Sequence, residues 1–446
     1  MKPVLFFGLL SLMAYSRIGA QQQFSLQDAY TYALKHNANA LNAGTEVEIG
    51  KQRITENVAT GLPQISANAN YNYNLESPVF IFPDFINGNP DQFTTIPAAP
   101  LNQAVIGVNG SMLLFNGQYF IGIATAKHFL ELIRSQKAQT ERDVRFQVAQ
   151  TYFLCLVSEA SLRTLDSSLK ILEKNVEETQ ALYAQGFAED LDVEQLELIL
   201  ANTKDARIQA DNARKLAYAT LKFQMGFPAQ EEISLTESLE TLLNQGGFSG
   251  LVPGLKDTFE VKQRLEYKIM SQQLAINEYQ IKLQKAEALP SLSTSLGYQY
   301  NLFNNDRFLA GSGTVGAQGG LVLGLNLQVP IFSSWNRMSK LKQLQLEREK
   351  VLRQQAYLEQ GLQVEYLNAR NQVMDNFQRF QNRERGFELA KKIRRVNGLK
   401  YKEGLITSLE LSQSEQQLFE AQQSYYQALF DLLNSKAALD KAMGTF

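Results

Sequence analysis

The chain has 446 residues with 43 basic and 45 acidic side chains, and its formal net charge is -2. This balance argues against the basic surface of a nucleic-acid-binding protein. A single cysteine, Cys155, excludes an intrachain disulfide framework and a cysteine-based metal site. The two histidines, His36 and His128, lie far apart in the sequence. We therefore predict neither a metal site nor a cofactor.

The first twenty residues have the pattern of a cleavable export signal. Lys2 precedes an apolar run from Val4 to Met13, and Ile18-Gly19-Ala20 forms a small-residue cleavage site. That run is roughly ten residues long, whereas a membrane-spanning helix needs ~20. We therefore predict that residues 1–20 are a signal peptide and that the mature chain is exported.

Four sequence blocks occur twice in the same order, about 220 residues apart. The pairs are GLPQISANANYNYN (61–74) with ALPSLSTSLGYQYN (288–301), GVNGSMLLFNG (107–117) with GLNLQVPIFSS (324–334), YAQGFAEDLDVEQ (183–195) with YKEGLITSLELSQ (401–413), and LKFQMG (221–226) with LDKAMG (439–444). Such self-similarity predicts a tandem duplication. We place the first repeat at residues 21–226, a linker at 227–254 and the second repeat at 255–446. Each repeat reads helix, strand hairpin, long helix, turn, helix.

Alternation of polar and apolar residues predicts one β-hairpin in each repeat, at about 64–115 and 291–332. The polar faces carry Asn, Ser and Gln and almost no charge, which favours the lumen of a barrel over the surface of a soluble sandwich. Each strand has about the length that crosses a bilayer when tilted. Aromatic residues lie toward both ends of the hairpins and fit two interfacial girdles, although ordinary aromatic packing is the alternative. The girdle residues are Tyr71, Tyr73, Tyr298 and Tyr300 at one end and Phe115, Phe332 and Trp335 at the other.

Four strands cannot close a barrel, and lipid does not tolerate open sheet edges, so the chain must assemble. Two copies would give an eight-stranded barrel that is filled by its own side chains. Three copies would give twelve strands and room for a pore. The loops at 76–100 and 304–316 are long and rich in proline or glycine, which fits loops on the outer side of a membrane.

The remainder of the chain is predicted to be helical, with apolar residues three and four positions apart as in coiled coils. The long helices at about 117–185 and 336–403 contain no proline and would each extend roughly 100 Å. The shorter helices at about 26–59 and 188–225 together nearly match one long helix. The fold class is thus a mixed membrane protein with a duplicated helical coiled-coil portion and four transmembrane strands per chain.

The repeated strands and the paired turns YxxGxxxxLxxxQ, together with the twofold repeat, resemble the TolC-like outer-membrane efflux proteins. The resemblance covers essentially the whole mature chain. It implies a homotrimer with a twelve-stranded barrel in the outer membrane of a Gram-negative bacterium and an α-helical tunnel through the periplasm. Such a protein is a passive exit duct, and its partners are a periplasmic adaptor and an inner-membrane transporter.

The resemblance also places the turns at Gly186 and Gly404 at the periplasmic tip, where the adaptor docks. The implied docking residues are Tyr183, Gly186, Leu191 and Gln195 with Tyr401, Gly404, Leu409 and Gln413. The implied periplasmic gate comprises Asp192 and Glu410, which would form carboxylate rings in a trimer, with Tyr401 bracing the closed tip. The sequence departs from the family pattern at Gln413, where a second acid is absent, and at Ile406, where a basic residue is absent.

Glu410 has a second interpretation from local sequence alone. Thr407-Ser408-Leu409-Glu410 is a capping box, in which the glutamate binds a backbone N–H group at the start of a helix. The sequence leaves both roles open.

We find no catalytic motif whose sequence context supports catalysis, and we predict that the chain is not an enzyme. Gly311 to Gly316 matches GxGxxG, but no helix follows it, so a hairpin loop is the better interpretation. A periplasmic coiled-coil adaptor protein and a secreted coiled-coil scaffold are the alternatives to a channel. The residues do not identify the cargo.

Overall fold

The computed structural model describes residues 22–84, 89–239, 241–242, 259–305 and 316–446. The predicted signal peptide lies outside the described residues, as do residues 240 and 243–254 of the predicted linker and 306–315 of the predicted glycine-rich loop. The chain divides into two compact units. We call residues up to 46, 134–269 and 355–446 the helical unit, and residues 47–133 and 270–354 the strand unit.

The described elements are, in chain order, β1 (Gln22–Phe24), α1 (Leu26–His36), α2 (Ala38–Ala59), β2 (Gln64–Tyr73), β3 (Val79–Asp84), β4 (Asn89–Pro97), β5 (Asn102–Asn116), α3 (Gly117–Ala184), α4 (Asp190–Met225), β6 (Ile233–Leu235), α5 (Leu265–Ala286), β7 (Ser291–Asn304), β8 (Gly316–Gln328), α6 (Asn336–Lys402) and α7 (Ser408–Met443). Both predicted long helices are present as α3 and α6. No helix in the described part of the chain is both long and apolar enough to span a membrane.

The helix predicted at 26–59 is divided at Asn37 into α1 and α2. Asn37 has an extended backbone, and its side-chain oxygen accepts the N–H of Asn39 at 2.8 Å as a cap for the second helix. Its side-chain amide donates to the carbonyl of Gln224 at the end of α4, also at 2.8 Å. The break is therefore fixed by a contact between distant parts of the sequence, which local helix propensity does not report.

The main core of the helical unit joins α1, the middle of α3, the end of α4 and α7. Its fully buried members include Ala33, Val148, Tyr152, Leu221 and Leu432. β1 pairs in parallel with β6, so the segment at the start of the described chain is bonded to the predicted linker. The Tyr152 hydroxyl donates to the carbonyl of Phe24 and holds β1 against this core.

The strand unit contains a four-stranded antiparallel sheet in the order β2-β5-β7-β8. The register places Ala67, Val108, Tyr298 and Leu321 in one row across all four strands. Because successive residues alternate between the faces of a sheet, the apolar positions of all four strands share one face and the Asn, Ser and Gln positions share the other. β2 and β8 are the edges of this sheet.

The second hairpin, predicted to reach residue 332, ends at Gln328. Pro330 has no N–H group with which to continue the strand ladder, and the next turn places Ser334 and Trp335 at positive φ. Phe332 and Trp335 therefore lie in the segment that connects β8 to α6 rather than on a strand. The predicted loop at 76–100 also differs, because it contains the separate β3–β4 hairpin. Its runs of Val, Ile, Phe and Thr have high strand propensity that its prolines obscured.

Candidate functional site: the paired helical turns

The two turns that separate the helices of the helical unit have the same backbone geometry. Gly186 follows α3 with φ +79°, and Gly404 follows α6 with φ +70°. At each turn the glycine N–H bonds back three residues and the next N–H bonds back five, at distances between 2.8 and 3.0 Å. This is the Schellman termination, which requires a left-handed residue that glycine adopts without steric cost.

The two predicted gate carboxylates both cap the helices that follow these turns. Glu410 Oε2 accepts the N–H of Thr407 at 3.0 Å, while the Thr407 hydroxyl accepts the N–H of Glu410. Asp192 Oδ2 accepts the N–H of Glu189 at 3.1 Å at the start of α4. The capping interpretation of Glu410 is confirmed, and Asp192 has the equivalent position in the first repeat.

Side-chain contacts bring the two turns together. Ser408 donates its hydroxyl to the side-chain oxygen of Gln195 at 2.9 Å. The hydroxyls of Tyr401 and Thr179 lie 3.3 Å apart, and Lys402 pairs with Glu178 at 2.7 Å. A small buried cluster beneath them consists of Val176, Leu196 and Leu411, with Tyr401 packed against it. Of the predicted tip residues, Gln195 and Tyr401 therefore contact the opposite repeat.

Tyr401 packs against the buried cluster at the turns. It is partly buried, and burial raises the pKa of its hydroxyl, with a smaller contribution in the same direction from the charge of Asp192. The hydrogen bond with Thr179 acts in the opposite direction. The Tyr401 side chain thus packs α6 against the buried cluster, and the charge of Asp192 at the first turn acts on its hydroxyl.

The other predicted docking residues lie at the surface. Tyr183, Leu191, Leu409 and Gln413 are exposed, and Gln195 is partly buried. Two further apolar residues at the turns were not predicted, namely Phe187 and Leu405, which are 78% and 72% exposed. Each directly follows its glycine, where a Schellman motif normally packs an apolar side chain against its own helix. The sequence signal that could have identified Phe187 and Leu405 is the presence of an apolar residue directly after each turn glycine.

A buried ion pair connects α6 and α7, the two helices that flank the second turn. Arg394 donates to Glu415 at 2.7 Å, and both side chains are largely removed from solvent. Burial raises the pKa of Glu415, and Arg394 opposes that effect only partly. This pair joins α6 to α7 behind the second turn.

The predicted girdle residues divide into two groups. Tyr71, Tyr73, Tyr298 and Tyr300 all lie on the apolar face of the sheet according to the strand register. Phe115 lies opposite Leu292 beside a bulge in β5, whereas Phe332 and Trp335 follow the end of β8. All seven side chains are exposed in the single chain.

We expect alanine substitutions at two glycines near the second turn to have opposite signs. Gly404→Ala should lower the free energy of unfolding by ~1–2 kcal/mol, because a Cβ disfavours the left-handed conformation. Gly386→Ala, inside α6, should raise it by ~0.5–1 kcal/mol through helix propensity. At both positions an added Cβ would meet no atom within 4 Å, so the backbone conformation is the difference tested. Denaturant midpoints that shift in the same direction would contradict the assigned turn geometry.

Comparison with known proteins agrees with this arrangement. The sequence matches the family described as Outer membrane efflux protein over residues 29–226 and 264–445. It is 21% identical over 432 residues to Outer membrane protein TolC of Vibrio cholerae serotype O1, an alignment that covers 94% of this chain and 91% of that protein.

Solved structures share the fold at low sequence identity. The outer membrane channel MtrE of Neisseria gonorrhoeae has a TM-score of 0.70 at 17% identity, with 94% of this chain and 88% of that chain covered. The CmeC outer membrane channel of Campylobacter jejuni has a TM-score of 0.71 at 15% identity, with 94% and 85% covered.

The duplicated helices, the four-stranded sheet and the paired turns thus define the fold of an outer-membrane channel. The match over both repeats is specific, and the chain belongs to the outer membrane efflux protein family. Its function is that of an efflux channel of the outer membrane, and the two solved structures named above are outer membrane channels rather than periplasmic adaptors.

Proposed function

We propose that three copies of this chain form a passive exit duct whose twelve-stranded barrel lies in the outer membrane. The observation that carries this proposal is the sheet β2-β5-β7-β8, which has two open edges and an apolar face that no other described part of the chain covers. Leu321, Leu323, Leu325 and Leu327 on that face are between 63% and 73% exposed. Lipid would cover the leucines, but open edges in lipid must pair, so β2 of one copy meets β8 of the next. Eight strands would leave no lumen, whereas twelve leave one.

Chain connectivity supports an orientation for this duct. Every strand of the sheet joins a helix at one end, and the opposite ends are joined by the segments at 74–101 and 305–315. In a Gram-negative envelope the strand ends that join helices would face the periplasm, and the opposite strand ends would face outward. A signal peptide at residues 1–20 would deliver the chain to that compartment.

The paired turns are proposed as the docking site of a periplasmic adaptor, which would connect the duct to an inner-membrane transporter. Support comes from the exposed apolar side chains of Phe187, Leu191, Leu405 and Leu409, which all lie close in sequence to a turn glycine. Exposed apolar surface of this kind marks protein interaction sites. Loss of adaptor retention by a Phe187→Asp, Leu405→Asp variant that still conducts would support the assignment, and unchanged retention would refute it.

We also propose that Asp192 and Glu410 retain a gating role beside their capping role. In a trimer each position contributes three carboxylates, and such rings favour cations at a channel entrance. A cap uses one carboxylate oxygen and leaves the negative charge in place. No catalytic step is needed for this function, and we propose that the chain is not an enzyme.

Conductance in planar bilayers tests the duct and its gate together. The purified protein should conduct and should prefer cations. Asp192→Asn with Glu410→Gln should bring the ratio of cation to anion permeability toward one, because the amides keep an acceptor for each capped N–H but remove the charge. Glu384→Gln, which neutralises an exposed carboxylate on α6, serves as the control. A protein that never conducts contradicts the duct, while an unchanged ratio in the conducting variant limits both carboxylates to capping.

A further inference from the structure

The β3–β4 hairpin is apolar on both of its faces. Its register places Val79, Ile81 and Phe93 on one face and Phe80, Phe82 and Ile96 on the other. These six side chains are between 44% and 74% exposed. A hairpin surrounded by water would normally present at least one polar face, so this surface calls for a cover.

Hydrogen bonds between the two segments that connect the β3–β4 hairpin to the sheet fix the position of the hairpin. Asn74 donates its N–H to the carbonyl of Leu101 at 2.8 Å, which prolongs the pairing of β2 with β5. Farther out, Ala98 donates to Pro78 at 2.7 Å, and the Ser77 hydroxyl donates to the carbonyl of Ala99 at 2.6 Å. β3 therefore continues outward from β2, an open edge of the sheet.

Lipid is a poor cover for this hairpin. Two strands have two open edges, and the backbone groups along them would have no hydrogen-bond partners in hydrocarbon. The residues of β3 and β4 include no basic side chain, so they offer no attraction to anionic lipid headgroups. Their charged residues are Asp84 and Asp91 alone, which also leaves little charge to recognise a foreign partner.

We propose that the β3–β4 hairpins of the assembled copies pack against one another as an apolar collar at the outer end of the barrel. This inference rests on the trimer proposed above. In that trimer β2 must pair with β8 of the next copy, so each hairpin projects from a junction between copies. Pro83 and Pro97 each remove a backbone donor and limit pairing between hairpin edges. The contact therefore forms between the apolar faces.

Cysteine substitution on each face tests the collar in the detergent-purified particle. Phe80→Cys and Ile81→Cys sample opposite faces, and the native Cys155 is fully buried, so the unaltered chain is a suitable background. A short bis-maleimide should link pairs of chains into covalent dimers through at least one of these positions, since each chain carries one reactive thiol. Labelling of that position by a water-soluble maleimide should be lost in the particle and restored after denaturation. Lys51→Cys on exposed α2 should be labelled without forming links.

The mass of each particle separates failure of the collar from failure of the trimer. A three-chain particle in which both hairpin positions are fully labelled and unlinked shows a hairpin surrounded by water, and overturns the collar alone. A second result would also overturn the collar. In it, the particle has three chains and no links form, but brominated detergent quenches a fluorophore attached at either position, which shows that the hairpin lies in lipid. A one-chain particle overturns the trimer and the collar together.

Discussion

Replacing Arg264 with methionine should lower the free energy of unfolding by ~3–5 kcal/mol, because it removes one partner of a buried ionic network. The Arg264 side chain is 1% exposed. It donates to Glu266 at 3.0 Å, approaches Glu365 at 3.3 Å and bonds the carbonyl of Ala442 at the end of α7. One side chain thus joins the start of the second repeat to α6 and to the end of the chain.

The second arginine of this network cannot compensate for the loss. Arg142 on α3 pairs with the other oxygen of Glu266 at 2.7 Å, and it also contacts Asp143. Without Arg264, Glu266 keeps one charged partner and loses another in a largely buried position. Arg264→Lys preserves the charge but not the fork of donors, so its loss of stability should be intermediate.

A matched control separates burial from charge. Arg353 on α6 forms an exposed pair with Glu349 at 3.1 Å. Arg353→Met should therefore change stability by less than ~1 kcal/mol. Denaturant midpoints of the two variants and of the unaltered protein, measured in one detergent, provide the comparison. Equal midpoints for Arg264→Met and Arg353→Met would show that the network does not stabilise the fold.

The network also predicts a pH dependence. Burial raises the pKa of Glu266, but hydrogen bonds from Arg264 and Arg142 outweigh it and lower the pKa from 4.5 to about 2. A lowered carboxyl pKa stabilises the fold above the unfolded value and loses that contribution as the pH falls through the folded value. The stability gap between the unaltered protein and Arg264→Met should therefore narrow from pH 4.5 toward pH 2.

Gly226→Ala is the second substitution with a large expected effect. Gly226 ends α4 at φ +69°, and an added Cβ would overlap the backbone carbonyl of His36, where α1 gives way to α2. Left-handed strain of ~1–2 kcal/mol and overpacking of ~1–3 kcal/mol together predict a loss of several kcal/mol. The substitution should also separate Asn37 from the carbonyl of Gln224, which removes the contact that fixes the helix break.

The equivalent glycine of the second repeat is the control for this prediction. Gly444 ends α7 at φ +78°, but the nearest atom to its added Cβ is Arg264 Cδ at 3.6 Å. Gly444→Ala should therefore cost only the left-handed strain, ~1–2 kcal/mol. Equal losses for the two alanine variants would show that the close approach of α4 to the α1–α2 junction does not constrain the fold.

The repeat made much of this fold predictable from the sequence. Each sequence block that occurs twice supports the same structural interpretation in both repeats. The main strands and both glycine turns could therefore be located from the sequence. The break at Asn37 and the burial of Arg264 were not predictable in this way. Both depend on contacts between residues distant in sequence, and neither residue belongs to the duplicated blocks.

The candidate site was located by sequence but not fully assigned by it. Paired glycines identified the turns, and the capping box at Thr407 predicted the bond that Glu410 makes. The resemblance to a family supplied the docking and gating roles, which local chemistry does not encode. Phe187 and Leu405 were missed because an apolar residue after a helix normally packs inward, and their exposure appears only in three dimensions.

The most direct test of the trimeric duct is the mass of the particle extracted in detergent from outer membranes, corrected for bound detergent. We expect three chains per particle, because three copies of the sheet β2-β5-β7-β8 would close a barrel with a lumen. A monomer that remains stable in buffer without detergent would contradict it, since open sheet edges and an uncovered apolar face would then be compatible with water.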